Sequence, residues 1–420
     1  MSSPLHCAEK PSWHFALLIA FPLLLLWGII SSSPNFDFSK VDVVSTIPLG
    51  GDYLQEYVGG QFINDSAIRD QLYDSEAFKR QQHLRESVGF AWDENQYFPA
   101  VYPTLWYAAV SPLSRLEYDL AVHIWATLMA VCLIASFVLL YRFTDVPLPL
   151  LLIFCLSRPV IHSISSGQKG TLLLLIFTLS FLLLKQLKPV RSGVVFALSV
   201  FKPHLGVCIG VWMLVSGRWR WAIATLSTVA TLVAISIITL PGLSKDYVNV
   251  CLGFGDYVQS GGYDLAKSYS LWSSWQMLIP NPTIAKILTL VTSLTVFIGS
   301  LIWLKKIVKR DPEKTDVAFA AMVLVTAITA PHFYYYDLTM LILPVAIFAS
   351  RASLAKFNRQ LWLPVVLIAA AMFGSGLIEK VGLTTNLSLG PVLLIIALVA
   401  ALRMPNVGEE EARPGQAPSL

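Results

Sequence analysis

Charge is what this chain is short of. Asp, Glu, Lys and Arg make up 13% of its 420 residues, against about 25% in a typical soluble domain. Apolar residues make up 55% and the mean hydropathy is +0.63, so an ordinary soluble fold is excluded. Cysteine is also scarce. Cys7, Cys132, Cys155, Cys208 and Cys251 are scattered, with no CxxC pair and no His/Cys cluster. Neither a zinc site nor a disulfide framework is expected, since only Cys251 falls in an expected external loop. No internal repeat is visible. The short alternating strands of a closed membrane barrel are missing too, because the apolar runs are continuous.

What the chain has instead is apolar blocks, each about 15–25 residues long and able to cross a bilayer core. They predict an all-α polytopic membrane protein with about twelve spans. The spans read as 13–31, 119–141, 147–164, 169–187, 191–202, 204–217, 219–241, 284–304, 316–331, 334–350, 360–377 and 387–403. The first is too long for a signal-peptide core and is expected to be an uncleaved anchor. The fifth and sixth flank Lys202-Pro203 and read as one bent helix or two half-spans, a break tolerated only against protein or a cavity.

Basic residues set the expected orientation. Thirteen of them fall in four short loops: Lys185, Lys188 and Arg191; Arg218 and Arg220; Lys305, Lys306, Lys309, Arg310 and Lys314; Arg351, Lys356 and Arg359. Splitting the fifth span from the sixth puts all four loops on the cytoplasmic side. The net charge of +4 is therefore topology information, and no nucleic-acid partner is expected. The expected organisation is a cytoplasmic N-terminus (1–12), one transmembrane domain (13–405) and a polar, disordered cytoplasmic tail (406–420). Two external segments, 32–118 and 242–283, interrupt the domain, and the first carries twelve acidic against six basic residues. Within it, 98–117 is expected to be a helix lying in the interface, where Tyr and Trp are favoured.

Ionisable residues near apolar spans are costly and so are candidates for function. Asp52 lies just beyond the first span, in Gly50-Gly51-Asp52-Tyr53. Arg158, His162, Gln168, Lys169, Lys202, His204, His332 and Asp337 fall at helix ends that the topology puts on the same side. A basic cluster opposite one carboxylate suits a phosphate leaving group and an acceptor hydroxyl. Each residue also has a plain structural reading. Asp52 reads equally as solvated loop charge, Arg158 and Lys169 as cations snorkelling to headgroups, and His332 as an interfacial histidine held by a carbonyl.

The order of these residues resembles the polyprenol-phosphate-sugar-dependent glycosyltransferases of the GT-C class, most closely glycosyltransferase family 87. The resemblance is carried by Asp52-Tyr53 with Tyr57, Gly59-Gly60, Leu72-Tyr73, Val101-Tyr102-Pro103, Gly167-Gln168 before Leu172–Leu175, Lys202-Pro203, Ser270-Leu271, Pro331-His332 and Tyr336-Asp337. It covers roughly residues 13–350. Lys169 and Gly170 depart from the family, which often has a polar residue after Gly-Gln. The resemblance implies a GT-C fold and inverting transfer of a sugar, mannose first, to a lipid-linked or glycan hydroxyl. The reaction would face outward from a bacterial plasma membrane. Asp52 would be the general base. Lys202, then Arg158 and His332, with Lys169, would hold the donor phosphate. Tyr57, Gln168, Tyr336 and Asp337 would orient substrate hydroxyls. The expected partners are the polyprenyl-phosphate donor, the acceptor and membrane lipid. No cofactor is expected, and one carboxylate makes a poor magnesium site, with Glu56 the nearest alternative ligand. An arabinofuranosyl transferase of the same fold and a lipid-linked-glycan flippase stay open. Product formation distinguishes transfer from transport.

Overall fold

A computed structural model describes residues 10–32, 49–92, 97–257, 264–311, 314–354 and 359–404. The expected tail at 406–420, Cys7 and most of the expected N-terminal segment lie outside the described residues. The described residues are mainly helical, and an isolated antiparallel bridge joins Ser268 to Tyr334.

α1 (Ser12–Ser32) leads into a small helical subassembly made of α2 (Leu54–Asn64), α3 (Ser75–His83), the single turn α4 (Arg85–Val88) and α5 (Thr104–Val110). Gly59 and Gly60 explain how closely α2 packs on α5 and on the turn that follows it. A Cβ on Gly59 would lie 2.2 Å from the Tyr107 ring, and one on Gly60 2.0 Å from Ser114 Oγ. The expected single helix over 98–117 is instead an extended stretch at 97–103, then α5, then a 3-10 turn at Ser111–Arg115. Pro99, Pro103 and Pro112 account for this, because each removes a helical hydrogen-bond donor.

The apolar blocks follow as α6 (Tyr118–Phe143), α7 (Leu148–Cys155), α8 (Arg158–Ser165), α9 (Gly170–Lys185), α10 (Pro189–Ala197), α11 (Val207–Val215) and α12 (Trp219–Thr239). α13 (Pro241–Tyr257) and α14 (Leu271–Leu278) fill the second expected external segment. α15 (Pro282–Arg310), α16 (Thr315–Thr329), α17 (Ile342–Leu354), α18 (Arg359–Phe373), α19 (Ser375–Thr385) and α20 (Gly390–Leu402) complete the bundle. Each of the twelve expected spans is thus largely helical.

Length and composition make α1, α6, α12 and α15 able to cross a membrane, or up to six spans if each bent pair counts as one. The pairs are α7 with α8, bent by 54°, and α18 with α19, bent by 68°. Pro159 stands at the second position of α8, where it has no N–H to continue the ladder from α7, and Ser157, just before α8, is extended, so the expected 147–164 span breaks there. The expected break at Lys202-Pro203 is also present: α10 tightens into a 3-10 turn at Leu198–Phe201, and α11 restarts at Val207.

The bundle turns outward the face that a soluble protein hides. Ile223, Leu226 and Ile238 on α12 and Ile287, Leu290 and Val291 on α15 are exposed. Such faces suit lipid, where the spanning backbone must satisfy its own hydrogen bonds. α16 lies at the centre, with every residue from Val317 to Ile328 buried. Its Ala318, Ala320, Ala321 and Ala327 let neighbouring helices approach closely, as small residues do in membrane bundles.

Candidate active site

The polar residues gather where α8 ends. The last four carbonyls of a helix have no partner within it, and here a loop supplies donors. Gly50 N donates to Ser165 O (2.6 Å), while Asp52 N (3.0 Å) and Tyr53 N (3.2 Å) both donate to Ser166 O. The loop that carries Asp52 is therefore fastened by its backbone. Gly167 turns the chain with φ +76°, and a Cβ there would lie 2.5 Å from Tyr53 Cβ. Both the left-handed backbone and the close approach need glycine. Trp125 stacks on Tyr53 at 5.0 Å and donates Nε1–H to Gly167 O at 2.7 Å, holding both sides of the junction.

Gln168 then faces Asp52, and its Nε2 donates to Asp52 Oδ2 at 2.9 Å. A carboxylate only accepts, so this bond fixes which end of the amide is nitrogen. It leaves Gln168 Oε1 buried with no hydrogen bond among the described residues, as is Gln55 Oε1. Burial pushes the Asp52 carboxyl above its ordinary pKa, while the Gln168 hydrogen bond and the charges of Lys169, Lys202 and Lys267 hold it down.

Asp52, Gln55 and Gln168 line a cavity of about 800 Å³, together with Lys202, His162, His204, His332, Lys267 and Tyr334, Tyr335 and Tyr336. Phe98, Val101, Phe201 and Val250 give it apolar walls. The combination of a mainly apolar cleft and a few convergent polar groups is typical of small-molecule sites.

The expected phosphate ligands separate into two groups. Lys202 and His332 line the cavity. Lys202 Nζ donates to Asp337 Oδ1 at 2.7 Å, and both side chains are almost fully buried. Asp337 is thus the counter-ion of Lys202 rather than part of the cavity wall. Lys169 and Arg158 do not line the cavity. Lys169 forms a wholly buried ion pair with Glu56, with its ammonium 3.9 Å from the centre of the Tyr102 ring. That pair also engages the carboxylate named above as an alternative metal ligand. Arg158 bonds Glu379 on α19 at 2.6 Å and stacks on Tyr335 at 4.6 Å. Among the residues expected to orient substrate, Gln168 and Tyr336 reach the cavity. Tyr57 does not: its hydroxyl donates to Leu116 O at 2.7 Å.

Lys267 and Gln55 line the cavity although neither was among the sequence candidates. Lys267 read as loop charge, yet it lines the cavity, with its side chain 35% exposed against 4% for Lys202. It bonds Asp264 at 3.0 Å and lies 3.8 Å from Glu379, so it shares that carboxylate with Arg158. The signal that finds it is its place three residues before the Ser270-Leu271 motif. Tyr269 N donates to Phe333 O at 2.8 Å, which ties that loop to the Pro331-His332 segment. Gln55 gave no signal beyond its place one turn along from Asp52.

A helical membrane chain with one carboxylate, two lysines and unbonded amide oxygens around a single cavity has the parts for a group transfer onto a polar acceptor. The chain belongs to glycosyltransferase family 87, whose family model matches residues 100–331, more than half its length. It is a membrane glycosyltransferase. The matched region holds Gln168 and Lys202, while Asp52 and His332 flank it. No curated protein and no solved structure matches the chain.

Proposed function

We propose that this protein moves a sugar, mannose in the first instance, from a polyprenyl-phosphate donor to a hydroxyl of a lipid-linked or glycan acceptor, with inversion. The reaction takes place on the outer side of a bacterial plasma membrane, in a GT-C fold of twelve spans whose basic loops face the cytoplasm. The observation that carries this reading is the cavity itself, in which Asp52 is held by Gln168 on a wall shared with Lys202 and Lys267.

The acceptor oxygen attacks the anomeric carbon and its proton passes to Asp52. The bond from that carbon to the phosphate oxygen breaks, and polyprenyl phosphate leaves with the electron pair. The donor phosphate carries one negative charge before transfer and gains a second as the bond breaks. A cation beside it is therefore bound more strongly in the transition state than in the ground state, which is what accelerates a reaction. Lys202 and Lys267 supply that charge, each exchanging a carboxylate for the phosphate. Arg158 and Lys169 act behind the wall, as structural ions. Gln55 Oε1 and Gln168 Oε1 accept hydrogen bonds from sugar hydroxyls, satisfying buried acceptors whose desolvation otherwise costs about 1–3 kcal/mol each. Phe98, Phe201 and Val250 suit the first isoprene units of the donor.

The test is a transfer assay in lipid nanodiscs with labelled polyprenyl-phosphate mannose, polyprenyl-phosphate arabinofuranose and a nucleotide-activated mannose, over a pool of bacterial lipids. Product from the mannosyl lipid donor is the expected result. Product from the arabinosyl donor alone would change the sugar, and product from the nucleotide donor alone would overturn the donor class.

A further inference from the structure

The cations around the cavity are already paired. Lys202 bonds Asp337, while Lys267 and Arg158 share Asp264 and Glu379. Each group carries as much negative as positive charge, and Asp52 adds one more carboxylate. A phosphate that draws Lys202 away leaves the buried Asp337 uncompensated. The donor is a phosphodiester and brings one negative charge. The leaving polyprenyl phosphate is a monoester, whose second ionisation has a pKa of about 6, so it brings two. These ion pairs hold no net positive charge to meet the second.

Imidazoles can supply that charge. His162, His204 and His332 line the same cavity. His162 Nδ1 is engaged by Tyr335 OH at 3.0 Å, and the His332 ring stacks on that of Tyr334 at 5.3 Å. His204 differs from both: its Nε2 is buried with no hydrogen bond among the described residues. The helix break places it there. Pro203 has no N–H to continue α10, and a tight turn follows, closed by Leu205 N donating to Lys202 O at 3.0 Å. Lys202 and His204 therefore reach the cavity from one turn. The rings of His204 and His332 are 5.9 Å apart at 84°.

The charges that act on the His204 ring are those of Lys202 and Asp337, while Lys202, Lys169 and His204 act on His332. Lys202 repels a proton on His204 until the phosphate gains its second charge. A dianion beside the ring then attracts one. A neutral imidazole has one N–H, whereas an imidazolium has two and a full charge. Its hydrogen bond to a phosphate oxygen is of the strong, charge-assisted kind.

We infer that His204 is a further phosphate-binding residue, which gains a proton as the second charge forms, donates Nε2–H to the leaving phosphate and holds it more tightly than the donor. This rests on the transfer reaction proposed above. The acceptor's proton still passes to Asp52, and the proton on His204 comes from water. Both return to water when the product leaves, so the net release is the single proton that the acceptor hydroxyl gives up.

The experiment is calorimetry of the full chain in nanodiscs at about pH 8, where a free phosphomonoester is a dianion. The ligands are farnesyl phosphate, a monoester, and farnesyl methyl phosphate, a diester that keeps one charge as the donor does. Repeating each titration in Tris and in HEPES counts the protons taken up, because the buffer supplies them with its own ionisation enthalpy. The wild type is expected to take up about one proton with the monoester and far less with the diester, as linkage requires of a group that charges on binding. His204→Gln and, as a second variant, His204→Asn keep an amide N–H but cannot charge. They should lose the uptake and bind the monoester about tenfold more weakly, the worth of a charge-assisted hydrogen bond, with little change for the diester. A merely structural role would weaken both ligands alike. Uptake that survives in the variants, equal uptake with both ligands, or none in the wild type would overturn the inference. Failure of the wild type to bind either ligand would overturn the donor reading beneath it as well.

Discussion

Gln168 Nε2 and Asp52 Oδ2 are joined by a 2.9 Å hydrogen bond that spans 116 residues of sequence. It ties the loop after α1 to the turn between α8 and α9. It also stabilises the ionised form of Asp52, opposing the burial that pushes its pKa up.

The first prediction follows from that opposition. A base must be ionised to take a proton, so activity falls on the acid side as Asp52 protonates. Because its pKa is raised, that limb lies above the ordinary Asp value of about 4. Gln168→Leu removes a bond that favours the charged form and moves the limb to higher pH. A pH profile of kcat/KM for wild type and variant measures this. A limb that stays in place, or moves to lower pH, would separate Gln168 from the titrating group.

The second prediction concerns Lys169 and Glu56, both wholly buried. Removing one partner of such a pair leaves a bare charge and costs about 3–5 kcal/mol, whereas replacing both with apolar or neutral groups is often tolerated. Glu56→Gln alone should lower the melting temperature in detergent strongly. Glu56→Gln with Lys169→Met should recover most of that loss and retain donor binding. If the double variant is stable but loses its response to donor concentration, Lys169 belongs to the donor site after all.

The third prediction separates cations that touch the cavity from those that do not. Lys267→Ala should raise the donor KM about tenfold, the worth of one charge-assisted hydrogen bond. Arg158→Ala should lower the melting temperature by releasing Glu379 and Tyr335, with a smaller effect on donor KM. The reverse ranking would return Lys267 to a surface ion pair.

The contrast between those two residues also shows how far the sequence could be read. The helical class and the break at Lys202-Pro203 follow from local pattern, because apolar runs and proline act on the nearest turns of chain. Asp52, Gln168, Lys202, His332 and Tyr336 were each legible as candidates, and all five meet at one cavity. Their partners were not legible. Glu56 lies 113 residues from Lys169 in the chain, and Asp337 lies 135 residues from Lys202. Nothing local marks a residue as the counter-ion of a distant one. The partner of Arg158 was hidden for the same reason, since Glu379 lies on α19, which bends by 68° from α18. A sequence that reads as one span and a loop gives no hint of that fold-back.

The most direct measurement is a single-turnover transfer from labelled polyprenyl-phosphate mannose in nanodiscs, with wild type and Asp52→Asn side by side. Donor binding is followed independently by protection of Cys251, an exposed thiol on the cavity wall, from maleimide. The account predicts equal protection in both proteins and a loss of transfer of about 10²–10⁴-fold in Asp52→Asn, the range of general-base contributions. Transfer by Asp52→Asn at the wild-type rate would contradict it.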